Sequence, residues 1–291
     1  MTNVQRQSRI NGRIVRCRLP GDPESQYYKW LPTDVCTAAP PLVIVHGVSR
    51  RARAHLAAYR DWAEQTGTTL LAPVFDERRF QGYQRLGSST PERSAADVVT
   101  ELLDTEAHAT DGRAQLFGFS GGAQFVHRYA MVRPERLVAA AIVAAGWYTM
   151  PTNALGYPYG VAHGRQPAGY RIDIDTFLSV PLAVFVGAYD VEQDDNLRSN
   201  RRIDPWQGNN RLARAIAWVA ALEREAQQRG IESQVSFRVL PGVGHDFREC
   251  YEQASLARHV TDFFARQTAR AYSVAAELAG AVPRRATRPV L

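Results

Sequence analysis

Cysteine is scarce in this chain, which has only Cys17, Cys36 and Cys250 among 291 residues. So few cysteines, in an odd number, exclude the disulfide framework that stabilises small secreted domains. No apolar run approaches the roughly 20 residues needed to span a bilayer. The N-terminal segment has basic residues but no apolar stretch of the signal-peptide type. We therefore expect a cytoplasmic protein that does not use a membrane as a partner.

Acidic residues are missing from both ends of the chain. Residues 1–13 and 281–291 each contain three arginines and no acid, and together they account for the net charge of +6. Residues 14–280 consequently have no net charge and no general basic field, which disfavours nucleic acid as a partner. Strings of the GxGxxG or P-loop type are also missing, and Cys250 has no second ligand at zinc-type spacing. We expect neither a cofactor nor a metal.

The remaining composition is that of an ordinary globular protein, with 45% hydrophobic and 22% charged residues. We find no internal repeat and no low-complexity linker. The economical interpretation is one domain over residues 1–280, followed by a flexible basic tail at 281–291.

Apolar runs alternate with helical patterns along most of the chain, which is typical of a mainly parallel sheet with crossover helices. The first two runs predict an antiparallel pair joined by a Pro- and Gly-containing turn. The sequence therefore predicts an α/β fold whose eight-stranded sheet has helices on both faces. The predicted strands are 12–19, 26–32, 41–47, 68–75, 114–119, 137–146, 181–187 and 234–241. The predicted helices are about 52–66, 94–108 with Ser94 as N-cap, 121–133, 208–229 and 254–270, with a helical stretch to about 279.

Residues 147–178 interrupt this alternation after the sixth strand. The segment is rich in glycine, proline and aromatic residues, and long loops in compact domains are usually functional or mobile. It joins two strand ends at the edge where open α/β sheets bind ligands. We interpret it as a short cap insertion; the alternative is a surface excursion that only covers the sheet. As a cap it would supply substrate-binding aromatic rings, for which the candidates are Trp147, Tyr148, Tyr157 and Tyr159.

The strongest motif is Gly-Phe-Ser-Gly-Gly at residues 118–122, a G-x-S-x-G string between a predicted strand and a predicted helix. A turn from strand to helix in so few residues strains the serine and brings its −2 and +2 neighbours together, so both must lack side chains. The turn exposes the serine oxygen at a helix N-terminus, which favours developing negative charge. We predict Ser120 to be a nucleophile.

A serine hydroxyl needs a base to become nucleophilic, and the chain has seven histidines. His245 follows the last predicted strand in a glycine-rich loop that lets an imidazole fold back over the sheet. The rival is His163, inside the predicted cap. The histidines within predicted helices are expected to be surface or packing residues: His55, His108, His127 and His259.

The base in turn needs a carboxylate that fixes its tautomer and stabilises the imidazolium. Asp190 follows the seventh predicted strand at the correct edge of the sheet. Other acids follow closely and remain alternatives: Glu192, Asp194 and Asp195. We favour Asp190 because a residue directly after a strand has the least positional freedom.

The order Ser120, Asp190, His245, with this turn and the Gly-His loop, resembles the α/β-hydrolase fold superfamily over residues 12–270. His46-Gly47 at the end of the third strand looks like that family's oxyanion loop, so the resemblance implies an oxyanion hole formed by the amides of Val48 and Gly121. His46 would then be structural. The compact chain and short cap look closest to esterase and depolymerase-like members.

Together these features predict a serine hydrolase that cleaves a small-molecule carboxylic ester through an acyl-enzyme. Peptidase, amidase or thioesterase activity by the same triad remains an alternative, as does a ligand-binding homologue without activity. Arg50, Arg51 and Arg53 follow the oxyanion loop and could meet an anionic substrate group, although solvated surface arginines are the favoured interpretation. A homo-oligomer is left open.

Overall fold

The computed structural model of this chain describes residues 12–87, 93–162 and 169–280. Eight strands form one sheet in the order β1-β2-β4-β3-β5-β6-β7-β8. All eight coincide with predicted strands, within a few residues at each end. They are β1 (Ile14–Arg18), β2 (Gln26–Trp30), β3 (Leu42–Val45), β4 (Leu70–Val74), β5 (Ala114–Phe119), β6 (Leu137–Val143), β7 (Leu182–Gly187) and β8 (Val235–Leu240).

The sheet is mainly parallel. β2 pairs antiparallel with both β1 and β4, whereas every neighbouring pair from β4 through β3 to β8 is parallel. Parallel strands place their carboxyl ends at one edge of a sheet. The segments that follow β5, β7 and β8 therefore start from the same edge, with only β6 between β5 and β7.

Helices cover both faces of the sheet, as predicted. Within β3, Val43 and Val45 point into one hydrophobic cluster and Leu42 and Ile44 into the other, the period-two pattern of a strand buried on both sides. Helices α3, α4, α5 and α7 pack in the first cluster, and α1, α2, α8 and α9 in the second. The nine helices of the described residues are α1 (Ala52–Ala57), α2 (Arg60–Thr66), α3 (Ala95–Glu106), α4 (Gly121–Val132), α5 (Ile174–Leu178), α6 (Asp204–Gln207), α7 (Arg211–Arg229), α8 (Phe247–Glu252) and α9 (Leu256–Gly280).

Several helix ends differ from the predictions. The expected helix over 52–66 is two helices, because the chain leaves helical geometry at Tyr59, whose buried ring packs against Phe117. The predicted N-cap is confirmed: the Ser94 hydroxyl accepts a hydrogen bond from the Asp97 amide, and the Asp97 carboxylate accepts one from the Ser94 amide. α7 begins three residues late because the side chain of Asn210 caps it. The short helices α5, α6 and α8 were not predicted.

None of the helices within the described ranges is both long and apolar enough to cross a membrane. The predicted flexible tail, 281–291, lies outside the described residues.

Candidate active site

Ser120 occupies a strained turn between β5 and α4. Its φ of 55° and ψ of −113° are outside the regions that L-residues favour. A Cβ at Gly118 would lie 2.4 Å from the Gly122 carbonyl, and one at Gly122 would lie 2.1 Å from the carbonyl oxygen of Val45. Both distances are far below van der Waals contact. Only glycine fits on either side of Ser120, as the spacing predicted.

His245 reaches Ser120 from the loop after β8. The imidazole Nε2 lies 3.0 Å from Ser120 Oγ, and the ring stacks on Phe119 with 5.3 Å between centroids. Gly187 lets this loop approach, because a Cβ there would lie 2.4 Å from the Val243 carbonyl oxygen. The Tyr189 amide donates to the same carbonyl oxygen, at 2.9 Å. The ends of β7 and β8 are thereby fixed to each other.

Asp190 lies on the other side of the imidazole. Its Oδ2 is 2.8 Å from His245 Nδ1, and its side chain is 1% exposed. Nδ1 therefore donates to Asp190, which leaves Nε2 to accept a hydrogen bond from the serine hydroxyl. The structure brings together the three residues predicted as a triad. The three alternative acids, Glu192, Asp194 and Asp195, are all exposed.

Arg211 is a member of the site that the sequence analysis missed. This first residue of α7 is almost fully buried, and its Nη1 lies 2.8 Å from Asp194 Oδ2 and 3.4 Å from Asp190 Oδ1. The two hydrogen bonds from Arg211 lower the pKa of Asp194 and so keep that carboxyl ionised. With 35 basic residues, nearly all of them arginine, no sequence signal distinguished this one.

The backbone at Val48 and the backbone at Gly121 come close together next to Ser120. A Cβ on Gly121 would be 3.2 Å from the Val48 nitrogen. Neither amide donates a hydrogen bond to an acceptor within the described part of the protein, so both can bind a ligand oxygen. This is the pair for which the resemblance implied an oxyanion hole.

His46 supports this loop from below. Its Nδ1 donates to the Gly47 carbonyl oxygen at 2.8 Å and its Nε2 accepts from the Phe75 amide at 3.1 Å. Nε2 can accept a hydrogen bond only when the ring is neutral, and burial lowers the His46 pKa to about 4. The Tyr83 hydroxyl also donates to the His46 carbonyl oxygen, at 2.9 Å. These contacts suit a structural residue.

The four histidines of the predicted helices differ in burial, and His259 is half-buried with its ring stacked on Phe185. His127 is fully buried between the Ala123 carbonyl and the Thr149 amide. His55 is buried against Phe247, and His108 is exposed. The rival base, His163, lies outside the described residues.

The four aromatic candidates occupy different places. Trp147 lines a cleft at Ser120, with the ring of Tyr159 5.4 Å behind it. The Tyr157 hydroxyl donates to the Arg85 carbonyl oxygen. Tyr148 requires a correction: it is completely buried and stacks on Trp218 at 4.5 Å, so the hydrophobic core holds this ring away from the site.

Two cavities open at Ser120. The wide pocket has a volume of about 600 Å³ and is lined by His245, Phe119, Phe247 and His55, among others. The narrow cleft has a volume of about 150 Å³ and is lined by Trp147, Gln124, Arg85, Arg198 and Arg211, among others. The described residues contain no group of three or more His, Cys, Asp or Glu arranged to hold a metal ion.

Comparisons with solved structures match this architecture. Poly(aspartic acid) hydrolase-1 from Sphingomonas sp. KT-1 superposes with a TM-score of 0.68 at 22% identity, over 82% of this chain and 92% of that one. The poly(3-hydroxybutyrate) depolymerase LpqC from Bordetella parapertussis gives 0.66 at 24% identity, over 81% and 88%. An esterase from Pyrobaculum calidifontis gives 0.55 at 16% identity, over 89% and 86%.

This chain has the α/β-hydrolase fold. The fold class predicted from the sequence is confirmed, and the solved structures that share it include the esterases and depolymerases it was expected to resemble. No protein-family profile matches the sequence, and no curated protein matches it. The α/β-hydrolase assignment therefore rests on structure, and the activity has to be argued from the site.

Proposed function

We propose that this α/β-hydrolase-fold protein is a serine hydrolase that cleaves carboxylic esters through an acyl-enzyme. The observation that carries the proposal is the chain of contacts from Ser120 Oγ to His245 Nε2, and from His245 Nδ1 to Asp190, at 3.0 and 2.8 Å. A nucleophile, a base that touches it and a carboxylate that orients the base are the elements such catalysis requires.

In the proposed reaction, Ser120 Oγ attacks the ester carbonyl while His245 Nε2 takes its proton. The imidazolium, stabilised by buried Asp190, then protonates the departing alcohol. Water enters, His245 takes a proton from it, and the hydroxide attacks the acyl-enzyme carbonyl. Collapse of this second tetrahedral species releases the acid and returns the proton to Ser120.

Both tetrahedral species carry an oxyanion. The unpaired amides of Val48 and Gly121 are the donors we assign to it. Removing one such donor typically costs about 3–4 kcal/mol of transition-state stabilisation. The N-terminal end of α4 adds its dipole to the same place.

Amide cleavage by the same residues is the second candidate. It is favoured by the structural match to a poly(aspartic acid) hydrolase, since that polymer is linked by amides, whereas the match to a poly(3-hydroxybutyrate) depolymerase favours esters. Parallel assays of p-nitrophenyl esters of increasing chain length and of aminoacyl p-nitroanilides distinguish the two.

A fluorophosphonate probe tests the nucleophile directly. Wild-type protein should be labelled at Ser120, and Ser120→Ala should be neither labelled nor active. Ser49→Ala is the matched control, because Ser49 lines the same wide pocket without touching His245; it should be labelled normally. An unlabelled wild-type protein that still binds esters would show instead a binding protein without the activity.

A further inference from the structure

The narrow cleft at Ser120 is lined by cations without acids. Arg85, Arg198 and Arg211 line it together with neutral residues, and among the described residues of its wall there is no carboxylate. Glutamine and asparagine side chains supply the other polar groups: Gln84, Gln124 and Asn196. Such a wall can donate hydrogen bonds from several directions and favours a negatively charged occupant.

Two of these arginines, Arg85 and Arg198, have no acidic partner among the described residues. Arg85 and Arg198 are exposed, and neither forms an ion pair with an acid in the parts of the chain that the structure describes. Arg211 differs, because its charge is shared between Asp190 and Asp194. Arg85 and Arg198 are therefore the available partners for an anion.

A further cation lies behind the wall of the cleft. Arg128 is fully buried and places its guanidinium 4.1 Å from the ring centre of Trp147, itself part of the wall. It donates to the carbonyl oxygens of Gln84 and Gln124, but within the described ranges its Nη2 has no acceptor and no carboxylate pairs with it. A buried charge without a counter-ion is costly, and its field is weakly screened. An anion in the cleft would reduce that cost.

The wide pocket has a different character. Its floor is aromatic, from Phe119 and Phe247, and its rim carries both acids and arginines: Asp246, Glu252, Arg51 and Arg248. Arg248 and Glu252 form an ion pair, so the rim favours neither a positively nor a negatively charged ligand. This pocket suits the neutral part of a substrate.

We propose that the narrow cleft binds a carboxylate of the substrate through Arg85 and Arg198, so that the preferred substrates are esters that also carry a free carboxylate. The inference rests on the proposed function, because it assigns the cleft to the substrate of Ser120. The two arginines differ from Arg50, Arg51 and Arg53, the ones that the sequence offered as possible partners of an anionic group; the sequence did not single out Arg85 or Arg198.

The test compares mono-p-nitrophenyl glutarate, which has a free carboxylate, with its methyl ester, in which that carboxylate is blocked; release of p-nitrophenolate is measured for both. We expect the wild-type kcat/KM to be about tenfold or more higher for the glutarate, and this advantage to shrink as NaCl is added. Arg85→Gln and Arg198→Gln should each lower kcat/KM for the glutarate about fivefold, the scale of an exposed charge pair. Both variants should lower kcat/KM for the methyl ester clearly less than for the glutarate, so that the ratio of the two values falls.

Arg266→Gln is the matched control. It removes one exposed arginine of the same size from a separate groove beside β8 and α9, and it should not alter the ratio of the two substrates. A wild-type protein that treats both esters alike, or a glutarate advantage that survives the double variant Arg85→Gln/Arg198→Gln, would overturn the inference. Labelling of Ser120 by the fluorophosphonate probe separates this inference from the proposed function. If Ser120 is not labelled, the proposed function is wrong. If Ser120 is labelled normally but the protein does not prefer the charged substrate, only this inference is wrong.

Discussion

The guanidinium of Arg211 lies 3.4 Å from Asp190 Oδ1, while the other oxygen of that carboxylate, Oδ2, is 2.8 Å from His245 Nδ1. Asp190 is thus shared between the imidazole and a buried arginine whose remaining hydrogen bonds go to Asp194. Arg211 forms hydrogen bonds to Asp190 and Asp194 but not to Ser120 or His245, and we infer that it positions Asp190.

Arg211→Gln should lower kcat/KM for esters about tenfold or more, because Asp190 loses the guanidinium beside its Oδ1 and holds His245 less firmly in place. Asp194→Asn leaves the contact between Arg211 and Asp190 in place, so it is the matched control and should lower kcat/KM less. Equal losses in the two variants would contradict a positioning role for Arg211.

The backbone strain at Ser120 predicts an order of stability among its variants. A non-glycine residue in such a conformation costs about 1–3 kcal/mol. Ser120→Gly should therefore be more stable than Ser120→Ala by about 1–2 kcal/mol, as measured by urea unfolding, although both are inactive. Equal stability of the two variants would mean that the turn relaxes once the hydroxyl is gone.

Gly187→Ala tests how the loop that carries His245 is held. The added Cβ would meet the Val243 and Gly244 carbonyl oxygens at 2.4 and 2.6 Å, so the loop must move away from β7. A displacement near 1 Å can cost about a hundredfold in rate, and we expect kcat to fall by at least tenfold. Gly156→Ala is the control, since no atom lies within 4 Å of its added Cβ; a normal kcat is expected there.

Buried His55 predicts a loss of stability in acid. Burial, together with the charge of Arg51, lowers its pKa from 6.5 to about 4, so the unfolded chain binds a proton there before the folded protein does. The free energy of unfolding should fall as the pH drops from about 6.5 towards 4 and be constant with respect to this group above that range.

Replacing this imidazole should make the protein less sensitive to acid. The variant His55→Phe keeps a ring that can stack on Phe247. Between pH 7.5 and pH 5, its free energy of unfolding in urea should fall by about 1–2 kcal/mol less than that of the wild type. The control is the exposed His108. In His108→Gln, the free energy of unfolding should depend on pH as it does in the wild type. An unchanged slope in His55→Phe would show that this imidazole is not the group that takes up the proton.

The sequence predicted the central strands of the sheet well because β3, β6 and β7 are continuous apolar runs, whereas the outer strands β1, β2 and β8 mix apolar with polar residues and were identified by the turn residues that bound them. It was sufficient for Ser120, Asp190 and His245 because each directly follows a strand or its turn, where the chain has little positional freedom. The placement of these side chains at hydrogen-bond distances follows from the parallel order of β5, β7 and β8.

Contacts made by tertiary packing could not be predicted in the same way. Arg211 begins a helix that the sequence does reveal, but its contact with Asp190 depends on where α7 packs. Tyr148 and Trp147 are neighbours in one aromatic segment, yet one stacks in the core and the other lines the cleft. Helices of four to six residues, such as α6 and α8, are too short to show a hydrophobic period.

The arginine-lined cleft also bears on how a catalytic cycle would end. Every ester yields an acid when it is hydrolysed, so a reactive Ser120 would create a new negative charge in the cleft that Arg85 and Arg198 also line. A substrate with one carboxylate yields a product acid with two negative charges. The arginines that attract the substrate would therefore slow the release of this product. Departure of the product, rather than bond cleavage, would set the pace of turnover.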